Sequence, residues 1–156
     1  MLEERIREAL TGDLPEATGR FLYGVCAHSA DCEVLDVGGS ADAALWLGAA
    51  VRILGGHVTT YASVPDVGLE EFVDRAEGDA EEIGDIFDVV YLDSDHELLF
   101  AVVRGKLEPG ALIVADGVSR EYSAARQADP TCVSVSVPLD RGLELTSVLT
   151  DALDYY

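Results

Sequence analysis

Three carboxylates in this sequence are placed where acidic residues could bind a metal ion or a cofactor. Asp36 lies inside a run of apolar residues, and Asp93 and Asp116 each directly follow such a run, which is typical of a buried strand. His96 comes shortly after Asp93, and an imidazole can exchange a proton near neutral pH. Because Mg²⁺ prefers oxygen ligands and lowers the pKa of a bound hydroxyl, these residue types could together activate a hydroxyl group.

The elements that must position these residues alternate between strand-like and helical patterns. Strands are predicted at 33–38, 57–61, 86–92, 111–115, 131–137 and 142–149. Helices are predicted twice within residues 1–30 and again at 43–54, 97–107 and 121–127. This alternation predicts an α/β fold with a doubly wound, mostly parallel sheet, and the last two strands predict an antiparallel C-terminal hairpin. We expect one domain over residues 1–156, with its α/β core at 33–149.

The segment between the second and third predicted strands admits two interpretations. Pro65–Ala76 could form a helix through its apolar residues, or Phe72–Ala76 could form a short edge strand. Both do not fit comfortably, because a full crossover with its helix needs at least about 10–12 residues before the next strand. We therefore expect a shortened crossover here.

The carboxyl ends of parallel strands form the edge where ligands bind in open α/β sheets. Asp36, Asp93 and Asp116 are each assigned to such a strand end. We therefore expect the three carboxylates to surround one hollow beyond the sheet.

The strong negative charge restricts the expected partners and location. The 156 residues include 30 acidic and 10 basic ones, for a net charge of −20, and Lys106 is the only lysine. Binding to nucleic acid or to anionic lipid depends on Lys and Arg, so neither partner is expected. The sequence has no signal-peptide pattern and no apolar run long enough to span a bilayer, so we expect a cytoplasmic protein. Many carboxylates beside few cations are typical of proteins in molar salt, so we also expect a halophilic protein.

Five segments, taken in order, resemble one family of enzymes. The segments are Val34–Ser40, Gly78–Ala80, Phe87–His96, Pro109–Asp116 and Pro138–Leu145. They are similar to successive motifs of the class I S-adenosylmethionine-dependent O-methyltransferases, above all the metal-dependent catechol and caffeoyl-CoA type. The resemblance covers about residues 14–150. It implies a Rossmann-like fold and methyl transfer from S-adenosylmethionine to a small hydroxylated acceptor.

The resemblance also implies which residues would hold the cofactor. Gly38 and Ser40, in the turn after the first strand, would lie near its methionine end, with Asp36 beside them. Asp79 would lie near the adenine of the cofactor. Asp93 would also contact the cofactor. From the residues alone, Asp36 could equally form hydrogen bonds to the backbone of the turn.

A magnesium ion and a catalytic base follow from the same resemblance. Asp93 and Asp116 would bind Mg²⁺, and His96 falls where the family commonly has a catalytic lysine. Alternatively, Asp93 and Asp95 could cap the following helix, and His96 could be a surface residue of its first turn.

Several positions depart from the pattern of the family. Ala62 replaces the acid that binds the ribose, and Gly117 replaces an asparagine that binds the metal. The first turn is short, and Asp42, which we expect to cap the following helix, would repel the carboxylate of the cofactor. These departures favour an alternative: a non-catalytic protein of this fold that serves as a structural or partner-binding module. A homodimer is compatible with the terminal Tyr155 and Tyr156.

Overall fold

The computed structural model describes residues 2–80, 83, 84 and 86–150. These residues fall into two compact units, 1–77 and 78–156. Both units are α/β, the first with a parallel sheet and the second with parallel strands followed by antiparallel ones, which confirms the predicted fold class. The single domain over residues 1–156 stays a prediction. No helix in the described ranges is long and apolar enough to cross a membrane.

The first unit contains three helices and three parallel strands. They are α1 (Glu4–Ala9), α2 (Glu16–Cys26), β1 (Glu33–Val37), α3 (Ala41–Val51), β2 (His57–Thr60) and β3 (Val73–Arg75). The strand order in this unit is β3-β2-β1, and Glu33 of β1 is in register with His57 of β2. The predicted strands at 33–38 and 57–61 are thus confirmed, each to within a residue.

Helix α3 is buried on every side, which follows from its composition. From Asp42 to Val51 each residue is buried, as expected for a helix that is apolar all round. The helix ends at Val51 and not at Leu54, and Ile53 and Leu54 lie exposed in the turn that leads to Gly55. Gly55 adopts a φ of +82°, a conformation that favours glycine.

The segment 63–76 forms the edge strand and not the helix. The three residues of β3 pair with β2, and the N–H of Ala76 donates to the carbonyl of Thr60 at 2.7 Å. Val67 and Leu69 precede the strand and are buried in a cluster with Ile6 of α1. Of the apolar residues that suggested a helix, Leu69 covers the core from the loop and Val73 begins β3.

The described residues of the second unit form the remaining four strands and two helices. They are β4 (Val89–Leu92), α4 (His96–Arg104), β5 (Leu112–Asp116), α5 (Arg120–Ala128), β6 (Cys132–Val137) and β7 (Leu143–Val148). Their strand order is β4-β5-β7-β6, with β4 and β5 parallel and β7 antiparallel to both of its neighbours. The predicted C-terminal hairpin is confirmed. The third predicted strand begins only at Val89, and Ile86 lies exposed ahead of it.

Candidate functional site

The turn after β1 presents a hydroxyl group that makes no hydrogen bond to any residue the structure describes. Ser40 is the N-cap residue of α3, yet its side chain forms no capping bond. Its Oγ is buried and has no partner within the described part of the chain. Next to it Gly39 is exposed, and a Cβ added there would meet no atom within 4 Å. An unsatisfied hydroxyl beside open space at the start of a helix suits a polar ligand.

Asp36 is fully buried in β1 and is tied to β2. Its Oδ2 accepts a hydrogen bond of 2.8 Å from Thr60 Oγ1, and that Oγ1 accepts one of 3.0 Å from the N–H of Ala62. This pair of bonds fixes the chain after β2, where the resemblance expects a ribose-binding acid and the buried methyl group of Ala62 stands instead. The predicted contact of Asp36 with a cofactor stays a prediction. The same holds for the predicted contact of Gly38, which is half-buried.

Asp42 does not cap α3, and that expectation is wrong. The cap position belongs to Ser40, while the Asp42 carboxylate accepts bonds from the N–H groups of Thr11 (2.8 Å), Gly12 (2.9 Å) and Leu14 (3.4 Å). The hydroxyl of Thr11 adds a fourth bond of 3.1 Å. The loop between α1 and α2 offers N–H groups that no helix satisfies, so the carboxylate binds them. These donors offset the charge that would otherwise repel an anion at the turn after β1.

Asp79 follows β3 in sequence and lies in the second unit. Its side chain is exposed, and Gly78 before it has a φ of +82°, which marks a tight change of chain direction. Its role near an adenine stays a prediction.

The carboxylate of Asp116 at the end of β5 is buried and has two donors. Its Oδ2 accepts a hydrogen bond of 2.6 Å from the hydroxyl of Tyr91, and the guanidinium of Arg141 donates to the same oxygen. The side chain of Asp116 has no exposed surface, while that of Arg141 is half exposed. Burial opposes the charge of Arg141, but its hydrogen bond and attraction to Asp116 prevail and raise the pKa of the guanidinium. Burial and the bond to Asp116 likewise raise the pKa of Tyr91.

Asp93 lies half-buried after β4, close enough to Tyr91 and Arg141 for its charge to raise the pKa of both. The cap of α4 is Asp95, which adopts a φ of +47° and whose side chain makes no capping bond. The interpretation of Asp95 as a side-chain cap is therefore wrong. The binding of a cofactor or metal by Asp93 stays a prediction.

His96 is the first residue of α4, and its ring is held by β5. The Nε2 atom lies 2.7 Å from the backbone carbonyl oxygen of Asp116. A carbonyl only accepts, so Nε2 carries the proton and, in the neutral ring, Nδ1 is the atom able to take one up. The ring also contacts that of Tyr122, with 5.5 Å between their centroids. The alternative interpretation of His96 as a surface residue does not match this half-buried position with a fixed ring. The catalytic role of His96 stays a prediction.

These contacts do not fit a divalent cation at Asp116. Mg²⁺ usually keeps several waters in its coordination shell, whereas neither oxygen of this carboxylate is exposed and one already has two donors. In the part of the chain that the structure describes, no three His, Cys, Asp or Glu side chains gather as metal ligands. Gly117, with a φ of +71°, supplies no side chain to the site. The metal role of Asp93 and Asp116 stays a prediction, and the geometry at Asp116 argues against it.

Two hollows lie close to the residues that follow β5. One has a volume of about 440 Å³ and is lined by Asp95, His96, Glu97, Leu98, Ser119 and Tyr122. The other, of about 520 Å³, has a mostly apolar wall between the start of α5 and the turn of the β6–β7 hairpin. Volumes of this size suit a small organic ligand.

Four side chains that form buried or half-buried polar contacts were not predicted from the sequence. Thr60 ends the mixed strand β2, Tyr91 lies in the apolar strand β4, and Glu144 alternates with apolar residues in β7, so no local pattern distinguishes them. Arg141 lies in the segment Pro138–Leu145, which resembles a motif of the family. The register of the hairpin could have identified its contact with Asp116, since Leu143 pairs with Asp116.

Comparison with known proteins bears on the fold. No protein-family model and no curated protein matches the sequence. Among solved structures, a methyltransferase from Geobacter sulfurreducens is similar with a TM-score of 0.75 and 20% identity, over 96% of this chain and 92% of that one. An O-methyltransferase from Bacillus cereus in complex with SAH has a TM-score of 0.74 and 16% identity, over 95% and 92%.

A third similar structure is the O-methyltransferase TomG from Streptomyces achromogenes, in complex with SAM. Its TM-score is 0.73 and its identity 17%, over 96% of this chain and 91% of that one. The resemblance to the class I O-methyltransferases is thereby confirmed at the level of the fold.

Proposed function

We propose that this chain, which has the fold of the class I O-methyltransferases, binds S-adenosylmethionine at the turn after β1. We propose further that it transfers the methyl group to a small hydroxylated acceptor. The observation that carries the proposal is the buried hydroxyl of Ser40, which has no partner in the described residues and stands next to the open space at Gly39. Proteins of this fold have been solved with SAM and with SAH.

The chain's own residues would bind the amino-acid end of the cofactor without a charged side chain. Ser40 Oγ can donate or accept one hydrogen bond, and the first N–H groups of α3 favour a carboxylate. Asp42, in the first turn of that helix, is occupied by the loop between α1 and α2. The helix therefore keeps its attraction for an anion.

The acceptor hydroxyl would lie in the hollow lined by His96. When bound, S-adenosylmethionine supplies a methyl group on a positively charged sulfur, which moves to the acceptor oxygen while S-adenosylhomocysteine leaves. Nδ1 of His96 would take the hydroxyl proton, because Nε2 is fixed on the carbonyl of Asp116. Alignment of the reacting atoms can lower such a barrier by about 7–11 kcal/mol. Mg²⁺ is not part of this proposal, because the Asp116 carboxylate does not fit it.

Calorimetry with S-adenosylmethionine and S-adenosylhomocysteine in about 1 M KCl tests the proposal. We expect saturable binding that Ser40→Ala weakens by about 2- to 12-fold, the net value of one hydrogen bond. The matched control is Ser29→Ala, an exposed serine in the turn between α2 and β1, which should leave the affinity unchanged. The absence of any heat at high micromolar ligand would contradict the proposal.

A second candidate function is that of a non-catalytic module of this fold. Ala62 favours it, because a ribose would lose the charged acceptor expected at that position, at a cost of about 1.5–3 kcal/mol. The same calorimetry separates the two functions, since the module should bind neither compound.

A further inference from the structure

We propose that the guanidinium of Arg141 takes the place of a divalent cation beside Asp116, so that this chain binds no metal ion there. The proposal concerns the charge at one carboxylate. It does not depend on the binding of S-adenosylmethionine or on catalysis.

Neither oxygen of the Asp116 carboxylate is open to a hydrated ion. Oδ2 accepts hydrogen bonds from the Tyr91 hydroxyl at 2.6 Å and from a terminal nitrogen of Arg141. Oδ1 is buried and has no partner among the described residues, and the side chain as a whole has no exposed surface. A cation with its waters would have to displace Arg141 to reach Oδ2, and Oδ1 is buried away from solvent.

The hairpin holds Arg141 in this position. Leu143 of β7 pairs with Asp116, so the turn just before β7 lies beside the end of β5. The N–H of Gly117 donates to the carbonyl of Gly142 at 2.8 Å, and the N–H of Gly142 donates to that of Leu139 at 2.9 Å. Gly142 has a φ of +90°, which suits glycine and reverses the chain directly after Arg141. These main-chain bonds make the position of the arginine a property of the fold.

Charge and hydration both favour the arginine over a metal ion. A cation bound at Asp116 would meet the like charge of Arg141, which would then lose its carboxylate partner. Mg²⁺ also gives up its waters reluctantly, while the guanidinium is more weakly hydrated than other protein cations and can remain at a buried carboxylate. Half of the Arg141 side chain is exposed, so the rest of its N–H groups can reach solvent or a ligand. This edge therefore offers a ligand hydrogen-bond donors instead of a metal ion.

Electron paramagnetic resonance of Mn²⁺ tests the proposal without an activity assay. The free ion is titrated with protein in about 1 M KCl, which screens weak binding to the acidic surface. Wild type and Asp116→Asn should bind the same number of ions per chain with the same affinity. One additional ion bound by the wild type and lost in Asp116→Asn would overturn the proposal.

Two variants of Arg141 test whether this residue is what excludes the ion. Arg141→Gln removes the charge and should gain one Mn²⁺ per chain, and the double variant with Asp116→Asn should lose it again. Arg141→Lys keeps the charge and should gain none. If Arg141→Gln binds no more Mn²⁺ than Arg141→Lys does, the charge of Arg141 is not what excludes the ion, and the proposal is wrong. Circular dichroism checks the folding of each variant. If Arg141→Gln does not fold, the comparison of Mn²⁺ binding by wild type and by Asp116→Asn decides the proposal.

Discussion

Neutral hydrogen-bond donors surround two of the buried carboxylates. Asp42 accepts bonds from three backbone N–H groups. Glu144 accepts bonds from Ser134 at 2.5 Å, Ser136 at 2.6 Å and Gln127 at 3.2 Å. A carboxylate with several such donors stays ionised without a cation beside it. This solution suits a chain that has 10 basic residues for 30 acidic ones.

The pH dependence of stability should reveal the contribution of Glu144. Burial alone would raise its pKa, but the bonds from Ser134, Ser136 and their neighbours outweigh burial and lower it below its ordinary value of 4.5. Its stabilising effect is therefore fully present above pH 4.5 and is lost as the pH falls through the lowered pKa. We expect Glu144→Gln to flatten the fall of the unfolding free energy below that pH, measured by urea unfolding at successive pH values.

Glu121→Gln is the matched control, because Glu121 is an exposed acid on α5. Its unfolding free energy should follow the pH in the same way as that of the wild type. Equal pH dependence in the two variants would contradict the role given to Glu144.

Helices α2 and α3 pack closely because a glycine faces the largest buried side chain. A Cβ added at Gly19 would lie 2.3 Å from the indole of Trp46, which is 1% exposed. Tyr23, one turn further along α2, meets the edge of the same indole, with 6.4 Å between ring centroids. The contact between the two helices therefore depends on the absence of a side chain at one position.

Two glycine-to-alanine changes in α2 should have opposite effects on stability. Gly19→Ala should lower the unfolding free energy by about 1–3 kcal/mol, because the added Cβ would overlap the buried indole of Trp46, which would have to leave its packed position. Gly24→Ala should raise it by about 0.5–1 kcal/mol, since a Cβ there meets nothing within 4 Å and alanine favours the helix. Denaturant unfolding of both variants measures the difference. Destabilisation of similar size in both would show that the close contact with Trp46 is not the cause.

At the scale of the whole molecule, repulsion among its acids opposes folding. A net charge of −20 on 156 residues favours expanded states unless salt screens it. The Debye length falls from about 10 Å at 0.1 M salt to about 3 Å at 1 M. The halophilic character predicted from the composition should therefore be visible in the stability of the isolated protein.

We expect the Tm to rise as KCl increases from about 0.1 M to about 3 M, measured by circular dichroism. A variant with four exposed glutamates changed to glutamine, at Glu8, Glu71, Glu77 and Glu108, should respond less to the salt. A Tm that is constant or falls with KCl would contradict the halophilic prediction.

The sequence by itself determined the type and order of the elements. Apolar periodicity is a local property, so β1, β5 and the C-terminal hairpin could be predicted without knowledge of their partners. The short edge strand β3 remained one of two interpretations, because its three residues carry too little pattern. The fold class and the strand ends that carry Asp36 and Asp116 were therefore correct in advance.

Only the tertiary structure decided which groups those carboxylates meet. Asp116 and Arg141 are 25 residues apart in sequence, and Asp42 lies 31 residues from the Thr11 that it binds. Such pairs form when packing brings distant segments together, and no local pattern encodes them. The sequence placed an acid at a position typical of a metal ligand, and the fold placed an arginine against it.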